Sequence, residues 1–189
     1  MEMRSSLLRY YIILLLLASL VGVAFASVFV YYPIEVSVSP VGPPVYFEAG
    51  ANAGGDGLAG NTIGVTVGSN GASLNVTLHP TYQKTYYKGV AKITNSDSNA
   101  YYITVRVVST FLSLPSGSVA LLRIYDGSSF YNVDLTSTGD TTIGQISAGA
   151  SWRIDFYFYI PEGSTLPTSD SASVQLIYSP SAESPSSLP

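Results

Sequence analysis

The sequence predicts an all-β fold: a jelly-roll-like antiparallel β-sandwich that follows an N-terminal hydrophobic signal segment. The first observation is a series of short segments in which apolar and polar residues alternate, as they do in half-buried strands. The second is that turn-forming pairs such as Asn70-Gly71 and Asp126-Gly127 separate these segments. The third is composition, because charged residues make up only 11% of the 189 residues and the aromatic and β-branched residues typical of strands are abundant.

Residues 1–26 are predicted to be a secretory signal peptide. Arg4 and Arg9 flank the start of a long apolar run, which ends in Ala24-Phe25-Ala26, a small-x-small site. We therefore predict cleavage between Ala26 and Ser27, with membrane contact only through this segment before cleavage. The alternative is an uncleaved anchor, because residues 7–26 just reach the length needed to span a bilayer.

Residues 27–40 alternate strictly between two faces and predict a long strand. Pro33 cannot donate a backbone hydrogen bond, which confines this strand to a sheet edge or to a position with a partner on one side only. It is either the first edge strand of its own sandwich or a donor strand that completes the sheet of a neighbouring subunit. The donor side chains would be Val28, Val30, Tyr32, Ile34, Val36 and Val38. The donor-strand segment is taken as 27–48, and the glycine-rich residues 49–61 as a mobile hinge between it and the body.

Residues 62–178 are predicted to form the sandwich domain. Asn70-Gly71 is expected to close a hairpin with the type I′ turn that this pair favours. The most regular strand is 151–160, and the other body strands are 63–67, 74–78, 90–94, 101–111, 119–125, 130–135 and 172–178, while 45–48 is a short extended piece of the donor segment. In 151–160 the inward side chains are Trp152, Ile154, Phe156, Phe158 and Ile160, and the outward ones are Arg153, Asp155, Tyr157 and Tyr159. Residues 179–189, rich in Ser and Pro, are predicted to be a disordered tail.

Composition argues against catalysis and against nucleic-acid binding. Without residues 1–26 the chain has six basic and eleven acidic residues, a net charge of −5, and thus no overall basic footprint. It has no Cys and a single His, His79, which removes thiolate catalysis and multi-His zinc sites. We expect no enzymatic activity, cofactor or metal. The rival is an exported hydrolase whose fold gathers carboxylates that the sequence scatters: Asp126, Asp134, Asp140, Asp155 and Asp170.

Two smaller features remain. Asn75-Val76-Thr77 is an Asn-x-Ser/Thr sequon, so Asn75 is a candidate glycosylation site in an exported chain. Lys84, Lys88 and Lys92 lie close together in the sequence and predict a solvated sheet face, with an intramolecular Lys-Asn isopeptide bond as the alternative.

Residues 87–96, Tyr-Lys-Gly-Val-Ala-Lys-Ile-Thr-Asn-Ser, with Ala100 to Val105, are predicted to form a strand, a Thr-Asn turn and a second strand. Residues 146–152 are predicted to form a later turn that leads into the strand ending at Ile160-Pro161. Both segments resemble the corresponding parts of the TasA/camelysin family. The resemblance implies a subunit of a biofilm matrix fibre or an archaeal bundling pilus, assembled by donating an N-terminal strand. The metallopeptidase activity described for camelysins is not implied, because the sequence has no zinc-binding motif.

Together these features predict a secreted structural subunit, at the cell surface or outside the cell. Its partners would be other copies of itself in a head-to-tail homopolymer, with lateral bundling through exposed Tyr and Ser. The alternative is a monomeric, membrane-anchored cell-surface β-sandwich that acts as a binding module.

Overall fold

The computed structural model describes residues 2–24 and 30–183, and the side chains of residues 7–19 and 30–183. The chain divides into two units, Met1–Pro40 and Val41–Pro189. In the first unit, helix α1 spans Glu2–Ala24. Among the described residues, no helix is both long and apolar enough to cross a membrane. The predicted cleavage site, Ala26 and Ser27, and the first predicted donor residue, Val28, lie outside the described residues.

The second unit is an antiparallel β-sandwich, as predicted. Its strands are β1 (Val45–Ala49), β2 (Gly64–Val67), β3 (Leu74–Thr77), β4 (Gln83–Asn95), β5 (Tyr101–Ser109), β6 (Val119–Tyr125), β7 (Phe130–Asp134), β8 (Gly139–Ile146), β9 (Ser151–Ile160) and β10 (Ser173–Ser179). One sheet has the order β1-β4-β9-β6-β7 and the other β10-β5-β8, while β2 and β3 form a hairpin. The chain crosses between the two larger sheets at five connections: β4 to β5, β5 to β6, β7 to β8, β8 to β9 and β9 to β10. This repeated crossing joins the two sheets into one β-sandwich.

One apolar core lies between the sheets. The inward side chains predicted for β9 are all buried, and on β5 the alternating residues Ile103, Val105 and Val107 are buried as well. Because side chains alternate along a strand, the pattern was sufficient to predict which face of these strands is buried. Asp155 lies on the outward face of β9, as predicted, but its side chain is completely buried.

Two strands were missed or shortened in the prediction because they contain bulges. In β8 the inward Ile143 and Ile146 are three residues apart, since the register with β5 shifts next to Gly144. In β4 a bulge lies between Tyr87 and Ala91, so the strand extends well before the predicted 90–94. An extra residue in one strand changes the spacing of its inward side chains and hides the two-residue period.

The hairpin of β2 and β3 is confirmed, but its turn differs from the prediction. The Gly68 carbonyl accepts the Gly71 N–H at 2.9 Å, and of the residues 68–73 only Gly71 has a positive φ, of 71°. A type I′ turn would require positive φ at both of its central residues. The loop therefore reverses the chain through a wider turn that ends at one left-handed glycine.

The glycine-rich residues 49–61 form a loop, but they do not link the donor segment to the body. β1 precedes this loop and pairs with β4, so the loop lies within the folded unit. Its backbone is held by hydrogen bonds from the Gly50 N–H to the Val90 carbonyl and from the Asn52 N–H to the Gly89 carbonyl. The predicted hinge at 49–61 is corrected on this point, and the donor segment is shortened because β1 begins at Val45.

Candidate functional site

Residues 30–40 form no regular secondary structure in the described chain. The side chains of Val30, Tyr32, Ile34, Val36 and Val38 are between 65% and 85% exposed. The sequence nevertheless has the alternation of a strand over this stretch. A segment with an apolar strand pattern and no sheet neighbour is suited to pairing with an edge that this chain does not itself fill.

A groove of about 950 Å³ opens into the core of the second unit. Its floor is formed by inward side chains of β4, β5, β6 and β9, among them Ile93, Leu122 and Phe156. One wall comes from residues 71–80, which include β3, and the other from residues 166–178, which include most of β10. The groove therefore lies between these two walls, over floor side chains such as Ile93 and Phe156 that are buried in the single chain.

Both wall strands have an unpaired edge. Among the described strands, β10 pairs only with β5, and β3 pairs only with β2. Because both strands line the groove, backbone N–H and C=O groups that no described strand satisfies are available beside it. Such an edge is a template for an additional strand.

The inward side chains of these two strands are incompletely covered. On β10, Val174 and Tyr178 are 38% and 36% exposed, and on β3 Leu74 and Val76 are half-buried. In contrast, the inward side chains at the centre of the five-stranded sheet are fully buried, Ile154 for example at 1%. The inward side chains of the sandwich are thus incompletely buried where β3 and β10 face each other.

Asp170, one of the residues that line the groove, connects two backbone segments by hydrogen bonds. Its carboxylate accepts the N–H groups of Leu112 and Ser113, at 3.2 and 2.6 Å. Burial raises the pKa of Asp170, but these backbone hydrogen bonds outweigh it and hold the pKa below its ordinary value. Asp170 thereby ties residues 112–113 to the segment that leads into β10.

Asp155 ties β9 to the bulge of β4. It accepts hydrogen bonds from the Gly89 N–H at 2.6 Å, from the Tyr86 hydroxyl, and from Arg153 Nε at 2.8 Å. Burial raises the pKa of Asp155, whereas Arg153, Gly89 and Tyr86 lower it, and the pKa lies below its ordinary value. The ionised carboxylate thus holds together the strand and the bulge on which the 49–61 loop is fastened.

The structure does not bring the other candidate acidic residues together into one site. Asp126 is bound by the N–H groups of Ser128 and Ser129, which lower its pKa to about 2, and Asp134 accepts the Thr136 N–H. Asp140 pairs with Arg106 at 2.7 Å. Among the described residues, no group of three or more His, Asp and Glu side chains could hold a metal ion.

Two predicted residues lie at or near the groove. His79 lines it, two residues after the end of β3. Asn75 is exposed on β3, so its side chain is accessible, and the predicted glycosylation stays a prediction. The groove itself could not be predicted from the sequence, because its walls have the same alternation as covered strands.

No protein-family model matches the chain, and none of the curated proteins is similar to it at a significant level. The likeness to the TasA/camelysin family therefore stays a resemblance. In the structure its two segments are in contact, because the buried Asn95 side chain donates hydrogen bonds to the carbonyls of Ile146 and Ser147.

Proposed function

We propose that the chain is an exported structural subunit that polymerises by donor-strand complementation. Residues 28–38 of one copy insert between β3 and β10 of the next copy, and repetition of this head-to-tail contact produces a filament. The observation that supports the proposal is the groove, which is lined by two strands, β3 and β10, that each have an unpaired edge and incompletely buried inward side chains.

The dimensions of the donor segment and of the acceptor edge are compatible. At about 3.3 Å per residue, the seven residues of β10 extend roughly 23 Å and the nine residues 30–38 roughly 30 Å. Inserted as a strand, the segment would direct Val30, Tyr32, Ile34, Val36 and Val38 towards the apolar floor. Glu35, which has the opposite parity, would remain at the surface.

The position of Pro33 indicates which edge forms the longer ladder. Along a strand, successive residues direct their backbone N–H groups to opposite neighbours. Pro33 has no backbone N–H, so the segment lacks one hydrogen-bond donor towards the neighbouring strand that the odd-numbered residues face. All even-numbered residues keep their backbone N–H donors. We therefore propose that the edge they form pairs with β10, which is seven residues long. β3, with four residues, takes the interrupted side.

The apolar contribution is large enough for a stable filament. Burying the five described donor side chains contributes ~1.5–3 kcal/mol each, or roughly 7–15 kcal/mol before the costs of association and ordering. The donor side chains are already extensively exposed in the single chain. Little intramolecular contact of these side chains is therefore lost when they insert into another copy.

The test compares two chains without the signal segment, one beginning at residue 27 and one at residue 41. We expect filaments in negative-stain electron microscopy from the first chain alone. A synthetic peptide of residues 27–40 should raise the melting temperature of the shorter chain, because it binds only the folded state. A peptide with Ile34→Asp is the matched control and should have no effect. Normal filaments from the shorter chain would refute the proposal.

The anchored monomer is distinguished by the N-terminus of the protein recovered from cells. Mass spectrometry that finds Ser27 as the first residue agrees with an exported subunit that has a free donor strand. Intact Met1 would instead favour the membrane-anchored binding module.

A further inference from the structure

The outer surface of the five-stranded sheet carries most of the positive charge of the chain. Of the six basic residues after residue 26, only Arg106 lies on the other sheet. The other five lie on β4, β6 and β9 and are exposed or half-buried: Lys84, Lys88, Lys92, Arg123 and Arg153. The net charge of the sequence conceals this concentration, because most of the acidic residues are elsewhere.

The acidic residues of this face are few, and hydrogen bonds engage all of them. Asp155 is buried against Arg153, Asp134 accepts the Thr136 N–H, and Glu48 accepts the Thr94 hydroxyl at 2.7 Å. The remaining acidic residues of 41–183 lie in loops, in the segment after β10 or on β8: Asp56, Asp97, Asp126, Asp140, Glu162, Asp170 and Glu183. The face therefore has five cations for three carboxylates.

The two arginines are held in place by aromatic rings. The Arg123 guanidinium lies 4.2 Å from the centre of the Phe130 ring, and that of Arg153 lies 4.6 Å from the centre of the Tyr125 ring. Arg123 Nε also donates to Asn132 Oδ1 at 2.9 Å. Within the described residues, Arg123 has no carboxylate at salt-bridge distance. Its guanidinium is thus ordered and charged, with donors left for an external acceptor.

The lysines extend this charge along the sheet. Lys92 is paired in register with Arg153, and Lys84 lies eight residues further along β4, at roughly 26 Å in an extended strand. Lys88 lies between them and is exposed. The cations thus form a strip along β4, next to the arginines of β9 and β6, and a strip of this kind fits an extended anionic polymer.

We infer that this face binds an acidic polysaccharide, a polymer of uronic acid sugars, independently of polymerisation. Guanidinium groups bind carboxylates in a two-pronged geometry, and lysines bind them as point charges. The hydroxyl groups of the same face, on Tyr157, Tyr159 and Ser151, suit the hydroxyl groups of sugars. Binding by this strip of cations requires no complementary shape beyond an extended chain with spaced carboxylates.

Single-stranded nucleic acid is the other anionic polymer of similar shape, and the face suits it less well. Binding of single strands depends on aromatic rings on which bases stack. Here one guanidinium group lies over the Phe130 ring and another over the Tyr125 ring, so these ring faces are not free for stacking with bases.

The experiment measures binding of the chain beginning at residue 27 to polygalacturonate, by biolayer interferometry at 50 mM salt. Dextran is the neutral control polymer and oligo-dT the nucleic-acid probe. We expect Arg123→Gln to weaken polygalacturonate binding severalfold, and a triple change of Lys84, Lys88 and Lys92 to Gln to weaken it about tenfold. Arg106→Gln is the matched control, because it removes the same charge from the other sheet, and it should leave binding unchanged.

Binding should disappear at 500 mM salt, where exposed charges are screened. Melting temperatures of all variants within a few degrees of the parent would show that they are folded. The inference is overturned if polygalacturonate does not bind at 50 mM salt, or if Arg106→Gln weakens binding as much as Arg123→Gln. It is also overturned if oligo-dT binds more tightly and depends on the same residues. Loss of filaments in the chain that begins at residue 41 would not affect the result.

Discussion

Replacing Ile34 by Ala separates an effect on polymerisation from an effect on folding. The side chain is 85% exposed in the single chain, so its truncation should change the melting temperature of the monomer very little. In the filament the same side chain is expected to lie against the groove floor formed by Ile154 and Phe156. Removing three carbon atoms from a buried isoleucine costs about 2–5 kcal/mol.

That free-energy loss applies to every subunit contact and raises the concentration needed for growth. Because 1.4 kcal/mol corresponds to a factor of ten, we expect the critical concentration to rise on the order of 30-fold to several thousand-fold. The assay is sedimentation of filaments over a concentration series, with the monomer remaining in the supernatant measured by absorbance.

Ser37→Ala is the matched control, since Ser37 lies on the other face of the same segment. It should leave the critical concentration within about threefold of the parent, as expected for a surface change. An Ile34→Ala variant that polymerises like the parent would refute the burial of this side chain. A variant whose monomer melts much earlier would show instead that the segment packs within its own chain.

Further predictions concern the body. A Cβ at Gly50 would overlap the backbone of Gly89, so Gly50→Ala should destabilise the monomer by about 1–3 kcal/mol in urea unfolding. Gly42→Ala is the control, because a Cβ there has open space, and it should change the stability little. Equal urea midpoints for the two variants would contradict the attachment of the 49–61 loop to β4. Asp155→Asn removes the buried partner of Arg153 and should cost about 3 kcal/mol, and a change below 1 kcal/mol would contradict its role. Because the pKa of Asp155 is lowered in the folded state, its contribution is complete above about pH 4 and is lost as the pH falls further. The melting temperature should therefore be level from pH 7 to 5 and fall below pH 4, and it should fall less steeply in Asp155→Asn; a variant that loses as much as the parent on acidification would refute this cause.

The regular parts of the fold could be predicted from the sequence, because alternation reports which face of a strand is buried. The segment 151–160 shows this most clearly, since all five of its inward side chains are buried. Alternation fails where backbone geometry departs from a plain ladder. For that reason β8, with its bulge beside Gly144, was not predicted as a strand. The loop that follows β1 was predicted to be a hinge because its five glycines indicated a flexible backbone, whereas hydrogen bonds to β4 hold it in place.

The candidate site was only half predictable. The donor side of the proposed contact is continuous in sequence, and its pattern from Val30 to Val38 is visible without a structure. The acceptor side is formed by strands about a hundred residues apart, β3 and β10, and depends on the absence of a described strand between them. The inward side chains of β10, such as Leu176, look the same in sequence whether or not a neighbour covers them.

The burial of Asp155 illustrates a second limit. Its position on the outward face of β9 was predicted correctly by parity, and its burial was not. The difference arises from Arg153, two residues earlier on β9, and from Tyr86 on β4, which both bind its carboxylate. A cross-strand neighbour such as Tyr86 is known only after the register of the sheet is known.

Cysteine cross-linking tests the central claim most directly, because the chain has no cysteine of its own. One variant carries Ile34→Cys and a second carries Leu176→Cys, and a parallel pair uses Ser37→Cys as the outward-facing control. If the donor segment of one copy fills the groove of another, oxidation of the first mixture gives a disulfide-linked dimer of the two variants, and the control mixture gives far less. With both cysteines on one chain, the prediction is a ladder of covalent oligomers. A cross-linked monomer instead of a ladder, or equal yields with Ser37→Cys, would contradict donor-strand assembly.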